Sequence, residues 1–100
     1  MDRRKTEGAF VTQHEPTKPK VHSGVTTREV DEGLLVHDER SGQVHVLNRT
    51  GGRVLGLCDG AHDASEIARI LAAEGGVDES RTATDVGTIL AQFGRLGLLL

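Results

Sequence analysis

The residues that could carry chemistry in this 100-residue chain are five histidines, one cysteine and two adjacent glycines. Metal ligands commonly come in pairs a few residues apart, yet no two histidines are three or four positions apart, and a lone cysteine excludes a Cys-x-x-Cys pair. The histidines are His14, His22, His37, His45 and His62. Their spacing predicts that the chain has no metal site.

Cys58 is the one candidate nucleophile, and its predicted position is the C-terminal end of a short helix. The helix dipole disfavours a thiolate there, and a nucleophilic cysteine needs an activating partner. We therefore predict a buried, unreactive thiol. The Gly51-Gly52 pair lacks the spacing and the following lysine of a phosphate-binding loop. None of these motifs therefore points to a catalytic group, and we expect the chain to carry no cofactor of its own.

Charge is divided unevenly along the chain. Residues 1–24 have a formal charge of +2, whereas residues 25–100 hold seven basic and twelve acidic residues, a formal charge of −5. Nucleic-acid affinity depends largely on lysine and arginine contacts to phosphates, so this balance argues against a nucleic-acid partner. Phe10 and Phe93 are the only aromatic residues, which excludes stacking platforms for bases.

The chain has no segment that predicts a membrane or an export signal. No apolar run approaches the ~20 residues that span a bilayer, and the charged N-terminus is not followed by an apolar stretch. We therefore expect a soluble cytoplasmic protein without a membrane partner. Residues 1–24 are polar, contain two prolines and lack apolar periodicity, which predicts a disordered N-terminal tail or an arm that orders on a partner. Residues 25–100 form the predicted single domain.

Three strands are predicted at the start of this domain, over residues 25–30, 34–38 and 43–47, with Gly42 taking a positive φ in the second loop. The stretch from Val44 to Gly60 begins as the third strand and ends as a helix over about residues 50–58. Either Asn48 or Thr50 can cap this helix, and Asp59-Gly60 is predicted to close it.

Two further helices are predicted over about residues 64–74 and 79–94. Asp63 and Glu66 have the spacing of a capping box, and Asp78 can cap the last helix. The apolar face of that helix recurs at helical spacing through Val86, Ile89, Leu90 and Phe93. Leu98-Leu99-Leu100 should fold back onto the core. The predicted fold is therefore α+β and winged helix-turn-helix-like: a three-stranded antiparallel sheet followed by three helices, in the order βββααα.

The order and spacing of several short motifs resemble the PqqD-like family, named for pyrroloquinoline quinone biosynthesis protein D. The resemblance covers about residues 25–100. The matching motifs are Leu47-Asn48-Arg49-Thr50-Gly51, Val54-Leu55, Asp59-Gly60, Ile67-Ala68, Asp85-Val86, Ile89-Leu90 and Gly97-Leu98-Leu99.

This resemblance implies a peptide chaperone, not an enzyme. PqqD-like domains bind the leader segment of a ribosomally made precursor peptide and present it to a modifying enzyme, such as a radical S-adenosylmethionine protein, a cyclase or a protease. In the family the leader adds a strand beside the third strand, and its side chains enter a groove against the third helix. The expected partners are thus a precursor peptide and a maturation enzyme.

Simple physics supports the same binding mode, because an exposed sheet edge templates another strand and pockets for alternate side chains supply selectivity. Asp85 would suit a basic or polar peptide group, and Ile89 an apolar anchor. The predicted peptide-binding residues are Val44, His45, Val46 and Leu47 on the strand and Arg81, Asp85, Ile89 and Gln92 on the helix. Which side of the strand is free depends on the strand order.

Two other functions remain open at this point. A winged-helix topology also suits DNA binding, although the third helix carries Glu79, Arg81 and Asp85 and no lysine. A structural accessory subunit of a larger enzyme would need no peptide at all. The sequence is compatible with a monomer or a weak homodimer.

Overall fold

The computed structural model describes residues 17–100 and confirms the α+β architecture. Three antiparallel strands, β1 (Val25–Val30), β2 (Gly33–Asp38) and β3 (Gln43–Asn48), form a sheet in the order β1-β2-β3. Helices α1 (Arg49–Gly56), α2 (Ala64–Gly75) and α3 (Glu79–Arg95) follow. The predicted order βββααα is therefore confirmed.

The first helix starts where the sequence predicts but ends earlier. Asn48, not Thr50, is the N-cap, and its side-chain oxygen accepts a hydrogen bond of 2.8 Å from the Gly51 amide. The predicted closure at Asp59-Gly60 is wrong, because the helix ends at Gly56 and Leu57 caps it in a right-handed conformation. Gly60 does have a positive φ of 82°, but it lies in the loop after the helix, where its own amide donates to the Pro19 carbonyl.

The other two helices begin at the predicted caps. Asp63 and Glu66 form a reciprocal capping box, each side chain accepting from the other residue's amide at 2.8 Å. Asp78 accepts from the Arg81 amide at 2.9 Å and so caps α3. Short polar side chains placed just before apolar periodicity thus fix where both helices start.

The core is aliphatic apart from one phenylalanine and lies between the inner face of the sheet and the three helices. Its largest fully buried side chains are Phe93, Ile67, Leu98, Val36, Val54 and Val86. Val86, Phe93 and Leu98 are at most 1% exposed, and the partly buried Ile89, Leu90 and Leu99 pack against the core, as predicted. The prediction is wrong for Leu100, which is 82% exposed.

The segment just before β1 is held between two other parts of the backbone. Lys20 and Val21 form bridges to Asp59 and Leu99, and the Leu100 amide donates to the Lys20 carbonyl at 2.8 Å. These residues belong to the stretch that we predicted as a tail. Residues 1–16 lie outside the described residues, so the tail as a whole stays a prediction.

A buried polar pair joins this segment to the sheet. The His22 ring accepts from the Gly24 amide at 3.0 Å through Nδ1, while Nε2 lies 3.3 Å from a carboxylate oxygen of Asp38. Burial opposes ionisation of Asp38, but the hydrogen bond from the Arg40 amide and the adjacent His22 ring outweigh it and lower the pKa of this carboxyl. Within residues 17–100, no helix is long and apolar enough to cross a membrane.

Candidate functional site

Among residues 17–100, the backbone of β3 has one side without a partner strand, and the hydrogen-bond pattern shows which groups point there. Glu39 donates to the Gly24 carbonyl, so the neighbouring pair Val25–Asp38 is a non-hydrogen-bonded pair. Alternation along β2 then directs the amides and carbonyls of residues 34, 36 and 38 toward β3. Their β3 partners are Leu47, His45 and Gln43, so Val44 and Val46 direct their amide and carbonyl groups to the free edge.

The side chains of β3 divide between the two faces of the sheet. His45 and Leu47 are half-buried on the face that the helices cover, whereas Val44 and Val46 are 56% and 70% exposed. Exposed valines on an edge strand are the arrangement that natural sheets usually avoid, since such an edge attracts another strand. The β3 edge is therefore open in both its backbone and its side chains.

A groove of about 430 Å³ runs between β3 and α3, and we call it the β3–α3 groove. Leu47, Ile89 and Phe93 provide apolar surface along it, and polar side chains line the remainder. The complete lining is Val46, Leu47, Asn48, Thr50, Gly51, Asp85, Thr88, Ile89, Gln92 and Phe93. Its volume lies within the range typical of ligand sites.

The α3 side of the groove follows directly from helix geometry. Asp85, Thr88, Ile89 and Gln92 are three or four residues apart and so share one face of the helix. The β3 side depends on the turn into α1, where Gly51 is buried. A Cβ on Gly51 would lie 3.3 Å from the Asn48 side-chain oxygen, which is tight.

Five of the eight predicted site residues line this groove, and three do not. Val46, Leu47, Asp85, Ile89 and Gln92 are brought together there. The side chains of Val44, His45 and Arg81 lie outside the lining, although the backbone of Val44 still faces the free edge. A role in peptide binding stays a prediction for all eight.

Sequence reasoning missed five lining residues. Thr88 could have been found, since it lies three residues after Asp85 and four before Gln92 on the same helical face. Phe93 was predicted as a core residue only, but it contributes to both the core and the groove. Asn48, Thr50 and Gly51 join the groove only because the strand-to-helix turn packs against α3, which no local pattern reveals.

The groove has few ionisable groups in its lining. Asp85 is the only ionisable residue in its lining. Cys58 lies elsewhere, is 4% exposed and donates to the Val54 carbonyl at 3.2 Å. Burial, and then the nearby charge of Asp59, raise the pKa of the Cys58 thiol to about 11. Within residues 17–100, no three His, Cys, Asp or Glu side chains are grouped as a metal ion would need.

Two solved structures share this fold at low sequence identity. One is TbiB1 in complex with the TbiA(beta) leader peptide: TM-score 0.71, 22% identity, covering 80% of this chain and 93% of that one. The other is lasso peptide synthetase B1 complexed with the leader peptide, with a TM-score of 0.72, 20% identity, and coverage of 83% and 98%. No match was found among curated proteins.

A protein-family model gives the assignment. The model for coenzyme PQQ synthesis protein D (PqqD) matches residues 32–99, which span β2, β3 and all three helices. This range contains every residue that lines the β3–α3 groove. The chain therefore belongs to the PqqD family.

Proposed function

We propose that this protein is a non-catalytic recognition domain for the leader segment of a ribosomally synthesised precursor peptide. The leader pairs as a fourth strand with the free edge of β3, and alternate side chains enter the β3–α3 groove. The domain then presents the peptide to a separate modifying enzyme, such as a radical S-adenosylmethionine protein, a cyclase or a leader peptidase. We place this step in the cytoplasm, where precursor peptides are made.

The observation that carries this proposal is the coincidence of a free edge and a groove. Val44 and Val46 direct unpaired backbone groups to the same side on which α3 presents Asp85 and Ile89. A segment added there would form backbone hydrogen bonds along β3, and every second side chain would meet α3. Strand addition needs the free edge for affinity and the groove for selectivity.

The comparisons support the same conclusion. Both solved structures with this fold contain a leader peptide, and the chain covers nearly the whole length of each protein. The chemistry of the groove agrees, because one carboxylate among apolar and amide side chains suits binding and supplies no nucleophile or proton relay.

DNA binding is not favoured by the surface of α3. Its exposed charged residues are Glu79, Arg81, Asp85 and Arg95, so acidic and basic side chains balance. A recognition helix would need an excess of basic residues to neutralise phosphates.

The test is a titration of isotope-labelled protein with the precursor peptide encoded beside its gene, followed by amide chemical shifts. Shifts should concentrate on β3 and on the α3 face from Asp85 to Gln92. A scrambled peptide of the same composition is the control and should cause no shifts. Shifts confined to β1 or to residues 1–24 would contradict the proposal.

A further inference from the structure

A second cavity of about 390 Å³ adjoins the β3–α3 groove. It lies where the start of α1, the end of α2 and the first turns of α3 meet, and we call it the α1–α3 cavity. Leu71, Val77 and Val86 supply its apolar surface, and the ion pair between Arg53 and Glu74 lies at its rim, with Nε and Oε1 3.2 Å apart. No part of it was among the predicted site residues except Asp85.

The two cavities share a boundary. Thr50 and Asp85 line both of them, so the two cavities adjoin at these two residues. The β3–α3 groove lies on the Gln92 side of Asp85, and the α1–α3 cavity lies on the Thr82 side. A chain that leaves the end of the groove at Asp85 therefore meets the second cavity next along α3.

The chemistry of the second cavity is that of an apolar anchor site. Val77 is 59% exposed, Leu71 is half-buried and Val86 is buried beneath them. Covering such surface with an aliphatic side chain is favourable by roughly 25 cal/mol per Å² of apolar area removed from water. Charged side chains surround this patch and would remain at the polar rim, as in most binding sites.

We propose that the α1–α3 cavity is a second subsite for the same leader peptide and that it takes one aliphatic side chain of that peptide. This inference rests on the proposed function, since it extends the path of the strand that pairs with β3. The occupant is the continuation of the peptide beyond Asp85, and it is chosen because the second cavity adjoins the groove at Thr50 and Asp85.

The boundary residues suit a chain that is leaving the sheet. Peptide groups that pass beyond β3 lose their ladder partners and need other hydrogen bonds. The Thr50 hydroxyl can donate and accept there, and the Asp85 carboxylate can accept from a peptide amide. Polar side chains at the crossing and apolar side chains beyond it fit a peptide that turns from a strand into an anchor.

The distances require only a short peptide. From Gln92 to Thr82 the axis of α3 rises about 15 Å, which about five extended residues can span. The six-residue β3 edge corresponds to roughly 20 Å of extended chain. A peptide segment of about ten residues can therefore occupy both sites.

The test uses peptides of about 20 residues, a length that exceeds the span of both sites. These peptides are first selected from a random displayed library for binding to the immobilised full chain, and the selected peptides are then synthesised. Binding is measured to the wild type, to Val77→Asp, to Ile89→Asp and to Val30→Asp. Val30 is the matched control, because it is an exposed valine on β1 that lines neither cavity. Amide spectra establish that each variant is folded.

We expect Val77→Asp to weaken binding about tenfold, which corresponds to ~1.4 kcal/mol, while Val30→Asp changes it less than twofold. Methyl signals of Leu71 and Val77 in the wild type should shift on peptide addition, a measurement that needs no variant. If Ile89→Asp weakens binding while Val77→Asp and these methyl signals are unaffected, the second subsite is wrong. If Ile89→Asp has no effect, the proposed function fails and the second subsite with it.

Discussion

The two edges of the sheet are alike in backbone and different in surroundings. β1 and β3 each pair only with β2 among the described residues, so each has a row of outward amides and carbonyls. Beside β3 lies α3, with a groove of mixed apolar and polar lining that contains one ionisable residue. Beside β1 lies a cavity of similar size whose lining includes Glu29, Asp31, Arg49 and Arg53. An open edge alone therefore does not define a binding site.

The residues of the two edge strands also differ in charge. β1 carries Arg28 and Glu29 at its exposed positions, and charges on an edge discourage pairing with another chain. β3 has no charged residue, and its exposed positions include two valines. The charged edge is protected against a new strand and the apolar edge can accept one, which is the physical reason for assigning the peptide to β3.

The largest expected effect comes from the side chain at the centre of the groove. Ile89→Asp places a carboxylate among apolar groups that the peptide would desolvate, so peptide binding should fall about 100-fold, or ~2.7 kcal/mol. Calorimetric titration measures this loss. Leu96→Asp, at the C-cap of α3 and outside the groove, is the control and should bind normally. Equal losses in both variants would indicate general damage to α3.

A backbone test compares the two edges directly. Val46→Pro removes an outward amide from β3, and Thr27→Pro removes the corresponding outward amide from β1. One lost hydrogen bond and local distortion should weaken peptide binding about tenfold in the first variant and leave it unchanged in the second. Val46→Thr keeps the amide and should bind like the wild type. Equal affinity of the two proline variants would remove the case for strand addition at β3.

A smaller effect is expected from the single charge in the groove. Asp85→Asn keeps the shape and hydrogen-bonding capacity but removes the charge, so binding should weaken about threefold, as for a partly exposed ion pair. The wild-type affinity should also fall with added salt, and the Asn variant should show less of this dependence. The salt series distinguishes a basic peptide group over Asp85 from a purely polar one.

The smallest expected effect concerns Cys58 beneath β1, whose reactivity should not change when the peptide binds. Cys58, together with Val25 and Thr27, lines a cavity under that edge, and its thiol has a pKa raised to about 11 by burial first and by Asp59 second. Modification by a disulfide reagent at pH 7 should therefore be slow in the folded protein and fast in denaturant. Saturating peptide should leave the slow rate unchanged. A peptide-dependent rate would place binding or opening on the β1 side.

Local patterns in the sequence predicted most of the fold. Three features depend only on residues a few positions apart and can therefore be predicted from the sequence. They are the alternation of β3, the caps at Asp63 and Asp78, and the apolar spacing of α3. The predicted end of α1 was wrong. Gly60 has the positive φ that is typical of a helix cap, but it lies in a loop where its amide donates to the Pro19 carbonyl.

By itself, the sequence determined the element order, the absence of charge on β3 and the helical face that carries Asp85, Ile89 and Gln92. Only the tertiary structure decided which edge of β3 is free and that Thr50 and Asp85 line two adjoining cavities. The reason is distance along the chain. Residues three or four apart on a helix must be neighbours, whereas residues 35 positions apart, such as Thr50 and Asp85, meet only after the whole domain has packed.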